Sequence, residues 1–209
     1  MAKKTGTVKG RNKEQSKQQF LNTVGKILRT KGHAALKVND IALTAGLDKK
    51  LIYRYFGSTE QLLDEYLHQQ DFWSNVSEDA VSTEIKDGGQ EFLTQMLLEQ
   101  FNYVGQNKAF QKVLLWSLTE QRKSLQKLID DQETNGEVLF ENIMAPHFGD
   151  KITNCRAVLA ILVSGLYYLN LFTEVNGSKF CGIDLKTEEG KSKIQEAISF
   201  LVKQTYSSL

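Results

Sequence analysis

The chain has 209 residues, of which 41% are apolar, 10% aromatic and 24% charged, the composition of an ordinary globular protein. Its single proline and fifteen scattered glycines argue against long flexible linkers. The net charge of +1 conceals a division, because residues 1–56 carry 13 Lys/Arg against three acidic residues (+10) and residues 57–209 carry 13 against 22 (−9). A basic head on an acidic body indicates a polyanionic partner, either nucleic acid or an anionic membrane surface.

Nothing in the sequence predicts export or a membrane span. The N-terminal MAKKTGTVKGRNKEQSK lacks the apolar core of a secretory signal. The uncharged run 157–173 only reaches the lower limit of the about 17–25 residues that cross a bilayer, so a buried helix is expected there. Without a secretory signal, Cys155 and Cys181 are expected as reduced, buried thiols rather than a disulfide. The expected compartment is the cytoplasm, with no membrane partner.

The first elements are helical. Residues 1–12 are expected to form a basic disordered tail, and apolar residues at helical spacing then predict a helix at 13–31 that ends at Gly32. The segment VNDIALTAG predicts a second helix, with Gly46 at its stop position. These two helices are expected to support the short helix that follows them.

A short third helix and a longer fourth one follow. Asp48 is placed to cap a helix at 49–56, because its carboxylate can accept from the free N–H groups of the first turn. Ser58, with Gln61 three residues later, has the spacing of a capping box and predicts a helix at 59–76.

The remainder of the chain also shows helical periodicity. The helix that contains Leu125 and Leu139 is expected to end before Pro146, and no stretch shows the sustained alternation of a strand. The class is therefore all-α, with further helices predicted near 89–105, 109–119, 121–144, 152–174 and 188–206.

Two short helices joined by AGLD, the second of them basic, form a helix-turn-helix. The major groove of DNA is roughly 12 Å wide and admits one helix, whose exposed side chains read base edges. Ile52 and Phe56 are four residues apart and can face the core, which leaves the polar residues of 49–56 facing outward. Lysines suit guanine acceptors or phosphates, tyrosine suits phosphates, and leucine suits a thymine methyl group. The start of the next helix, at Ser58 and Thr59, offers free N–H groups and hydroxyls that can bind a phosphate, and we name this site the phosphate seat. The candidate DNA-binding residues are Asn39 of the preceding helix together with Lys49, Lys50, Leu51, Tyr53, Arg54, Ser58 and Thr59.

These residues resemble the signature of the tetracycline-repressor (TetR) family of transcriptional regulators. The matching segments are VNDIALTAGL, LIYRYF and GSTEQLL, which together cover part of about fifty N-terminal residues. Carried over by position, the family's DNA contacts fall on Lys49, Lys50, Leu51, Tyr53, Tyr55 and Thr59. The sequence departs from the family at Lys37, where a Ser or Thr usually caps the second helix and Asn39 is a possible substitute, and at Thr59, where the family commonly has Lys.

The resemblance implies an N-terminal three-helix helix-turn-helix domain at 13–57 and a C-terminal helical bundle at 58–209 for effector binding and dimerisation. It further implies about nine helices and an Ω-shaped homodimer on a palindromic double-stranded operator. The last two helices would pair with a second copy, although a purely intramolecular core remains the alternative. The candidate interface residues are Leu162, Ser164, Gly165, Leu166, Leu169, Ile194, Ile198 and Leu201.

The body of the chain is rich in aromatic residues, which suits a pocket for an apolar or amphipathic effector of unknown identity. Each of these aromatics also fits a plain core. No metal, cofactor or catalytic motif stands out, and His33 is expected at the surface. The candidate pocket residues are Phe72, Trp73, Phe101, Tyr103, Trp116, Tyr167, Tyr168 and Phe172.

The function predicted is a ligand-responsive, sequence-specific repressor that an effector releases from its operator. Two rivals remain open on the sequence. One is a helix-turn-helix protein that answers a protein partner rather than a small molecule. The other is an all-α enzyme or scaffold whose basic head contacts lipid.

Overall fold

The structure is a computed structural model that describes residues 6–73, 85 and 87–209. Within these residues the chain is all-α apart from one two-stranded hairpin, so the predicted fold class is confirmed. The helices are α1 (Gly6–Lys31), α2 (Val38–Ala45), α3 (Lys50–Phe56), α4 (Thr59–Gln70), α5 (Gln90–Gln106), α6 (Lys108–Ser117), α7 (Lys123–Leu139), α8 (Ala145–Phe148), α9 (Ile152–Val175) and α10 (Glu188–Ser208).

The chain divides into two compact units. The first contains α1 to α4 together with Lys112–Asp131, and the second contains the segment that ends at Gln111 and the segment Gln132–Leu209. The boundaries therefore fall inside α6 and inside α7. The predicted division at 57/58 differs from this one, because α4 and a distant segment both join the first unit.

The first unit is built around the apolar stripe of α1. Phe20 and Val24 have no exposed surface, and α1 packs against α2, α3 and α4. Phe20 meets Phe56 of α3 edge to face, with ring centroids 6.2 Å apart. Leu62 and Leu63 of α4 are fully buried. This core holds the buried faces of α2 and α3 and leaves their opposite faces exposed to solvent.

Both ends of the N-terminal helical region differ from the prediction. Because α1 begins at Gly6, residues 6–12 of the predicted tail are helical, while residues 1–5 lie outside the described part of the chain. Helix α4 ends at Gln70 rather than at residue 76, because Asp71 adopts an extended backbone (φ −73°, ψ 129°). Residues 74–76 of that predicted helix lie outside the described residues.

Pro146 does not end the helix that precedes it, contrary to the prediction. After α7 the backbone widens into a π-helical turn at Phe140–Met144, and α8 follows with the proline in its first turn. The missing N–H of a proline costs nothing in a first turn, so helical structure continues through this point. A 3₁₀ turn at Gly149–Lys151 then leads directly into α9.

In the second unit α5 packs against both α9 and α10. Its buried face includes Leu93, Leu97, Phe101 and Val104. Between α9 and α10 the chain forms the hairpin β1 (Lys179–Phe180) and β2 (Ile183–Asp184), which the sequence did not predict.

The two cysteines are free, as expected, but they lie in different surroundings. Cys155 is fully buried in α9, and burial raises the pKa of its thiol to about 11. Cys181 lies at the hairpin turn with φ 50° and is exposed, which corrects the expectation of two buried thiols. A turn of this kind needs positive φ at its central residues, which Cys181 and Gly182 (φ 80°) supply.

In the described part of the chain, one helical stretch, within Lys123–Val175, is long and apolar enough to cross a membrane by length and composition. Such a stretch is weak evidence for a membrane span, because apolar helices of other proteins pass the same test. Only 22% of the most apolar 18-residue window of this stretch is buried, so most of that window is at least partly exposed.

Candidate nucleic-acid interface

The helix-turn-helix geometry places α3 with one face in the core and the other in solvent. Ile52 and Phe56 are buried, as their four-residue spacing predicts. Tyr53 is 51% exposed, and Leu51 and Tyr55 are half-buried. The three cationic residues Lys49, Lys50 and Arg54 are all exposed, so the outward face of α3 is basic.

Local hydrogen bonds hold the turn and the start of α3. Gly46 ends α2 in the left-handed region (φ 65°), which glycine adopts without a steric penalty. Asp48 Oδ1 accepts from the backbone N–H of Lys50 at 2.8 Å, so the predicted capping carboxylate is present. Gln19 of α1 adds a hydrogen bond from its Nε2 to the Ala45 carbonyl at 2.6 Å. The orientation of α3 therefore depends on several independent contacts.

Asn39 does not cap α2. The N-cap residue is Lys37, which makes no side-chain capping bond, and the Asn39 Oδ1 instead accepts from Lys49 Nζ at 3.2 Å. Both side chains are exposed, so this bond spans α2 and the start of α3 on the basic face. Asn39 thus belongs to the candidate interface as a residue that orients Lys49.

The start of α4 follows the predicted capping pattern. Ser58 Oγ accepts from the Gln61 N–H at 3.0 Å, and its hydroxyl proton still has a donor role available. Thr59 is the first residue of the helix and is half-buried. The free N–H groups of this first turn and the two hydroxyls form a surface suited to one phosphate.

An ion pair that the sequence did not predict ties α4 to the α6–α7 connection. Arg122 Nε donates to both carboxylate oxygens of Glu60, at 3.0 and 3.1 Å, and its Nη2 is in close contact with Oε1. The hydrogen bond from Arg122 lowers the pKa of Glu60 and is the largest influence on it. Glu60 lies in the first turn of α4, directly after the phosphate seat.

The same arginine is part of an aromatic cluster. The Arg122 guanidinium lies 5.4 Å from the Trp116 ring centroid, and His33 stacks on the same ring at 5.5 Å with a 9° interplanar angle. Trp116 Nε1 donates to Glu120 Oε2 at 2.7 Å, and His33 Nε2 lies 3.6 Å from that oxygen. His33 is therefore a half-buried partner of this cluster rather than a free surface residue. Its partners are more than eighty residues away along the chain, so no local pattern could reveal them.

The aromatic residues proposed as a pocket divide into separate groups. In the first unit, Trp116 belongs to the cluster above, and Phe72 and Trp73 meet edge to face at 5.7 Å. In the second unit, Tyr103 and Tyr167 both contact Phe110, a residue that the sequence reasoning missed, with centroids 5.7 and 6.4 Å apart.

The remaining three aromatics also differ in surroundings. Tyr168, 53% exposed, and the half-buried Phe172 pack on Phe180 of the hairpin. Phe101 is buried and lines a cavity of about 240 Å³. Within the second unit, the five predicted pocket aromatics therefore fall into two ring groups and one residue that lines the cavity.

The residues proposed for dimerisation are only partly available to a second copy. Leu166 and Ile198 are both 3% exposed, because they pack inside their own unit, and this burial removes them from the candidate interface. Leu162, Gly165, Leu169 and Ile194 are half-buried, while Ser164 and Leu201 are exposed.

The outward face of α9 and α10 carries apolar residues that the prediction missed. Ile161 is 74% exposed and Phe200 is 59% exposed. Ser164 is also exposed, but its hydroxyl donates to the Ala160 carbonyl at 2.6 Å and needs no outside partner. We name the exposed residues Ala157, Ala160, Ile161, Ser164, Tyr168, Ala197, Phe200 and Leu201 the α9–α10 face.

Comparison with known proteins identifies the helix-turn-helix. Residues 26–66 match the family described as bacterial regulatory proteins, tetR family. This segment contains α2, α3 and most of α4, including the basic face and the phosphate seat. The resemblance drawn from the sequence motifs is thereby confirmed. No curated protein sequence matches the chain.

Solved structures share the fold over nearly the whole chain. A TetR-like transcriptional regulator from Rhodococcus sp. RHA1 is 14% identical, with 93% of this chain and 97% of that chain covered and a TM-score of 0.63. The transcriptional regulator FadR from Bacillus subtilis, in complex with stearoyl-CoA, is 14% identical over 92% and 98%, also at 0.63. NalD, the secondary repressor of the MexAB-OprM multidrug efflux pump in Pseudomonas aeruginosa, is 16% identical over 90% and 95%, again at 0.63. At these identities the likeness establishes the fold alone.

Proposed function

We propose that this chain, whose N-terminal helix-turn-helix is that of a TetR-family transcriptional regulator, is a dimeric repressor that reads a palindromic operator and releases it when a small molecule binds. The single observation that carries the proposal is the basic outward face of α3 on a helix-turn-helix whose other face is locked into a core. We assign the chain to the cytoplasm and give it a binding role rather than a catalytic one.

The DNA contacts follow from exposure and charge. Lys50 and Arg54 are exposed and placed for phosphate or guanine contacts, and Tyr53 presents its hydroxyl beyond the helix surface. Lys49 is oriented by Asn39 at 3.2 Å. Leu51 and Tyr55, at the edges of the same face, supply apolar contacts in the groove. Ser58 and Thr59 hold a phosphate at the start of α4.

Dimerisation is supported by the α9–α10 face. An exposed apolar surface of this kind is uncommon on a monomer and indicates an interaction site. A second copy is the partner of matching chemistry, because the residues that define the face combine small side chains with Ile161 and Phe200, and the neighbouring Lys193 and Glu196 already pair with each other at 2.8 Å. Two recognition helices can then meet half-sites about one helical turn, roughly 34–36 Å, apart.

The release step requires an effector that binds one conformation of the second unit better than another. Its effect on operator affinity cannot exceed this difference in affinity. We place the response at α4, whose first turn is held by Arg122 through Glu60 and which directly follows the phosphate seat. A shift of α4 changes the position of α3 and the spacing of the two recognition helices.

The decisive experiment is selection of bound sequences from random duplex DNA by the purified protein, repeated across a salt series. We expect a palindrome with half-sites about one turn apart to be enriched. The variant in which Lys49, Lys50 and Tyr53 are replaced by alanine is expected to lose this enrichment and remain a dimer. A matched control replaces Lys151 and Lys203, two exposed lysines of the second unit, and is expected to select the same palindrome.

Two results would contradict the proposal. Binding without an enriched motif, lost uniformly as salt rises, would reduce the basic head to a general polyanion surface. Enrichment of the same palindrome by the variant that lacks Lys49, Lys50 and Tyr53 would show that α3 is not the reading element.

A further inference from the structure

The segment that joins α1 to α2 contacts the α6–α7 connection (residues 118–122) through one histidine. His33 begins a 3₁₀ turn, its carbonyl accepts from the Leu36 N–H at 2.9 Å, and the Leu36 side chain is buried. Helix α2 begins two residues later, at Val38. Because the backbone is fixed in this way, the position of the His33 imidazole is coupled to the position of the start of α2.

Glu120 lies at the centre of the charged groups around His33. Its Oε2 accepts from Trp116 Nε1 at 2.7 Å and lies 3.6 Å from His33 Nε2, while its Oε1 lies 3.9 Å from Arg122 Nη1. Arg122 makes its hydrogen bonds to Glu60 instead, at 3.0 and 3.1 Å from Nε, and lowers the pKa of that carboxyl. The negative charge of Glu120 is therefore only partly offset by Arg122 and is available to His33.

The net charge of this cluster depends on one proton. The two carboxylates and the Arg122 guanidinium sum to −1 while His33 is neutral, and the total becomes zero when His33 is protonated. Histidine is the side chain that ordinarily changes its charge between about pH 5 and 8. The basic residues nearest to it along the chain are exposed, so solvent screens their repulsion of the added charge. They are Arg29, Lys31 and Lys37.

The Trp116 ring offers a second favourable contact to a protonated imidazole. The His33 and Trp116 rings are nearly parallel, with an interplanar angle of 9° and centroids 5.5 Å apart. The face of an indole ring attracts a cation more strongly than the other aromatic side chains do. Trp116 is 1% exposed and its N–H is bonded to Glu120, so the ring is held in place. A carboxylate and an aromatic face thus both favour the charged form of His33.

The α6–α7 connection holds the helix-turn-helix at both of its ends. Glu120 and Trp116 meet His33 before α2, and Arg122 binds Glu60 in the first turn of α4, directly after α3. A DNA-reading element that is held in position loses less conformational freedom when it binds. The contact at His33 is the one of the two whose strength changes with a single proton near neutral pH.

We propose that His33 is a positioning residue whose protonation strengthens the contact between the α1–α2 segment and the α6–α7 connection and so raises operator affinity in mild acid. The attraction to Glu120 is present where the imidazole is charged and is lost as the pH rises and the imidazole becomes neutral. The effect on operator affinity rests on the proposed DNA-binding function, whereas the proton-dependent contact does not.

The contact is tested without DNA by a double-mutant cycle in urea unfolding of the full-length protein at pH 6 and pH 8. The cycle uses His33→Gln, Glu120→Gln and the double variant, because glutamine keeps a polar side chain and removes the charge. At pH 6 we expect a coupling of about threefold in the unfolding equilibrium constant, the value of a partly exposed ion pair. At pH 8 we expect the coupling to vanish. A coupling of equal size at both pH values, or none at pH 6, would overturn the proposal.

The effect on function is tested by anisotropy titrations of the selected operator at pH 6 and pH 8 and constant salt. We expect the affinity gained at pH 6 to be about threefold per subunit, or about tenfold per dimer, larger in the wild type than in His33→Gln. Glu120→Gln is expected to lose the same pH dependence, which provides a second variant. His68→Gln changes an exposed histidine of α4 in the same unit and is expected to keep the wild-type ratio.

The same ratio of affinities in the wild type and in His33→Gln would overturn the role in DNA binding. Absence of operator binding at both pH values would contradict the proposed function, and the unfolding cycle would still decide whether His33 makes a proton-dependent contact. The two proposals therefore fail separately.

Discussion

The α9–α10 face gives a quantitative prediction for Ile161→Ala. The substitution removes three carbon groups, worth about 0.8 kcal/mol each when fully buried. Ile161 is 74% exposed in one copy, so an interface that covers it recovers about 1.8 kcal/mol per subunit. A twofold axis places the same residue on both sides of the interface, which brings the loss to about 3.5 kcal/mol per dimer. The dissociation constant of the dimer is therefore expected to rise several hundredfold, by roughly 300 times.

The measurement is sedimentation equilibrium over a concentration series, with thermal unfolding of each variant by circular dichroism. Val138→Ala is the matched control, because Val138 is an aliphatic residue that is 53% exposed in the second unit and lies on neither α9 nor α10. The control is expected to keep the wild-type dissociation constant. A wild-type protein that stays monomeric at about ten micromolar, where an interface of ordinary affinity is populated, would refute the reasoning. An unchanged constant for Ile161→Ala would do the same for this face.

Three further predictions concern single residues. Lys50→Gln is expected to make the negative slope of log K against log salt less steep by about 0.9 for each phosphate that the protein no longer neutralises, or about 1.8 per dimer. An anisotropy titration on the selected operator measures this slope. An unchanged slope would show that Lys50 contacts a base or no part of the DNA. Glu60→Gln is expected to cost about 1 kcal/mol of unfolding free energy at pH 7, since the ion pair is bidentate but partly exposed. Because Arg122 lowers the Glu60 pKa below its ordinary value of 4.5, this contribution is complete above that value and is lost as pH falls through the lowered pKa, so urea melts of the two proteins should converge in acid. Iodoacetamide at pH 8 is expected to alkylate Cys181 alone in the native protein, because the buried Cys155 thiol has a pKa of about 11; mass spectrometry that finds rapid labelling of Cys155 would contradict its burial.

The features that the sequence predicted depend on local chemistry. Asp48 and Ser58 act on N–H groups two and three residues away, and Gly46 supplies a backbone conformation that its own residue type permits. Such signals do not require knowledge of the rest of the fold. For the same reason the helix-turn-helix and the outward face of α3 followed from about twenty residues.

The features that the sequence did not predict depend on distant partners. Arg122 meets Glu60 across 62 positions, and no periodicity links them. The π turn at Phe140–Met144 lets helical structure pass Pro146, whereas the usual rule for proline places a helix end there. The sequence predicted Leu166 and Ile198 at the interface and did not predict Ile161, and only the packing around α5, α9 and α10 separates the two buried residues from the exposed one. The aromatic groups differ from the predicted pocket for this same reason.

The discontinuous make-up of the first unit has a consequence for synthesis of the chain. Trp116, Arg122 and Leu125 belong to the unit that contains the helix-turn-helix, so that unit lacks part of its core until residue 131 has been made. At about 5–20 residues per second, the ribosome needs roughly 3–12 s to pass from residue 74 to residue 131. During that interval a part of the apolar surface of α1 to α4 is uncovered. This interval is therefore the stage of synthesis at which the protein most needs a chaperone. A chain that stalls or is truncated during it would be open to proteolysis in the unit that contains the helix-turn-helix.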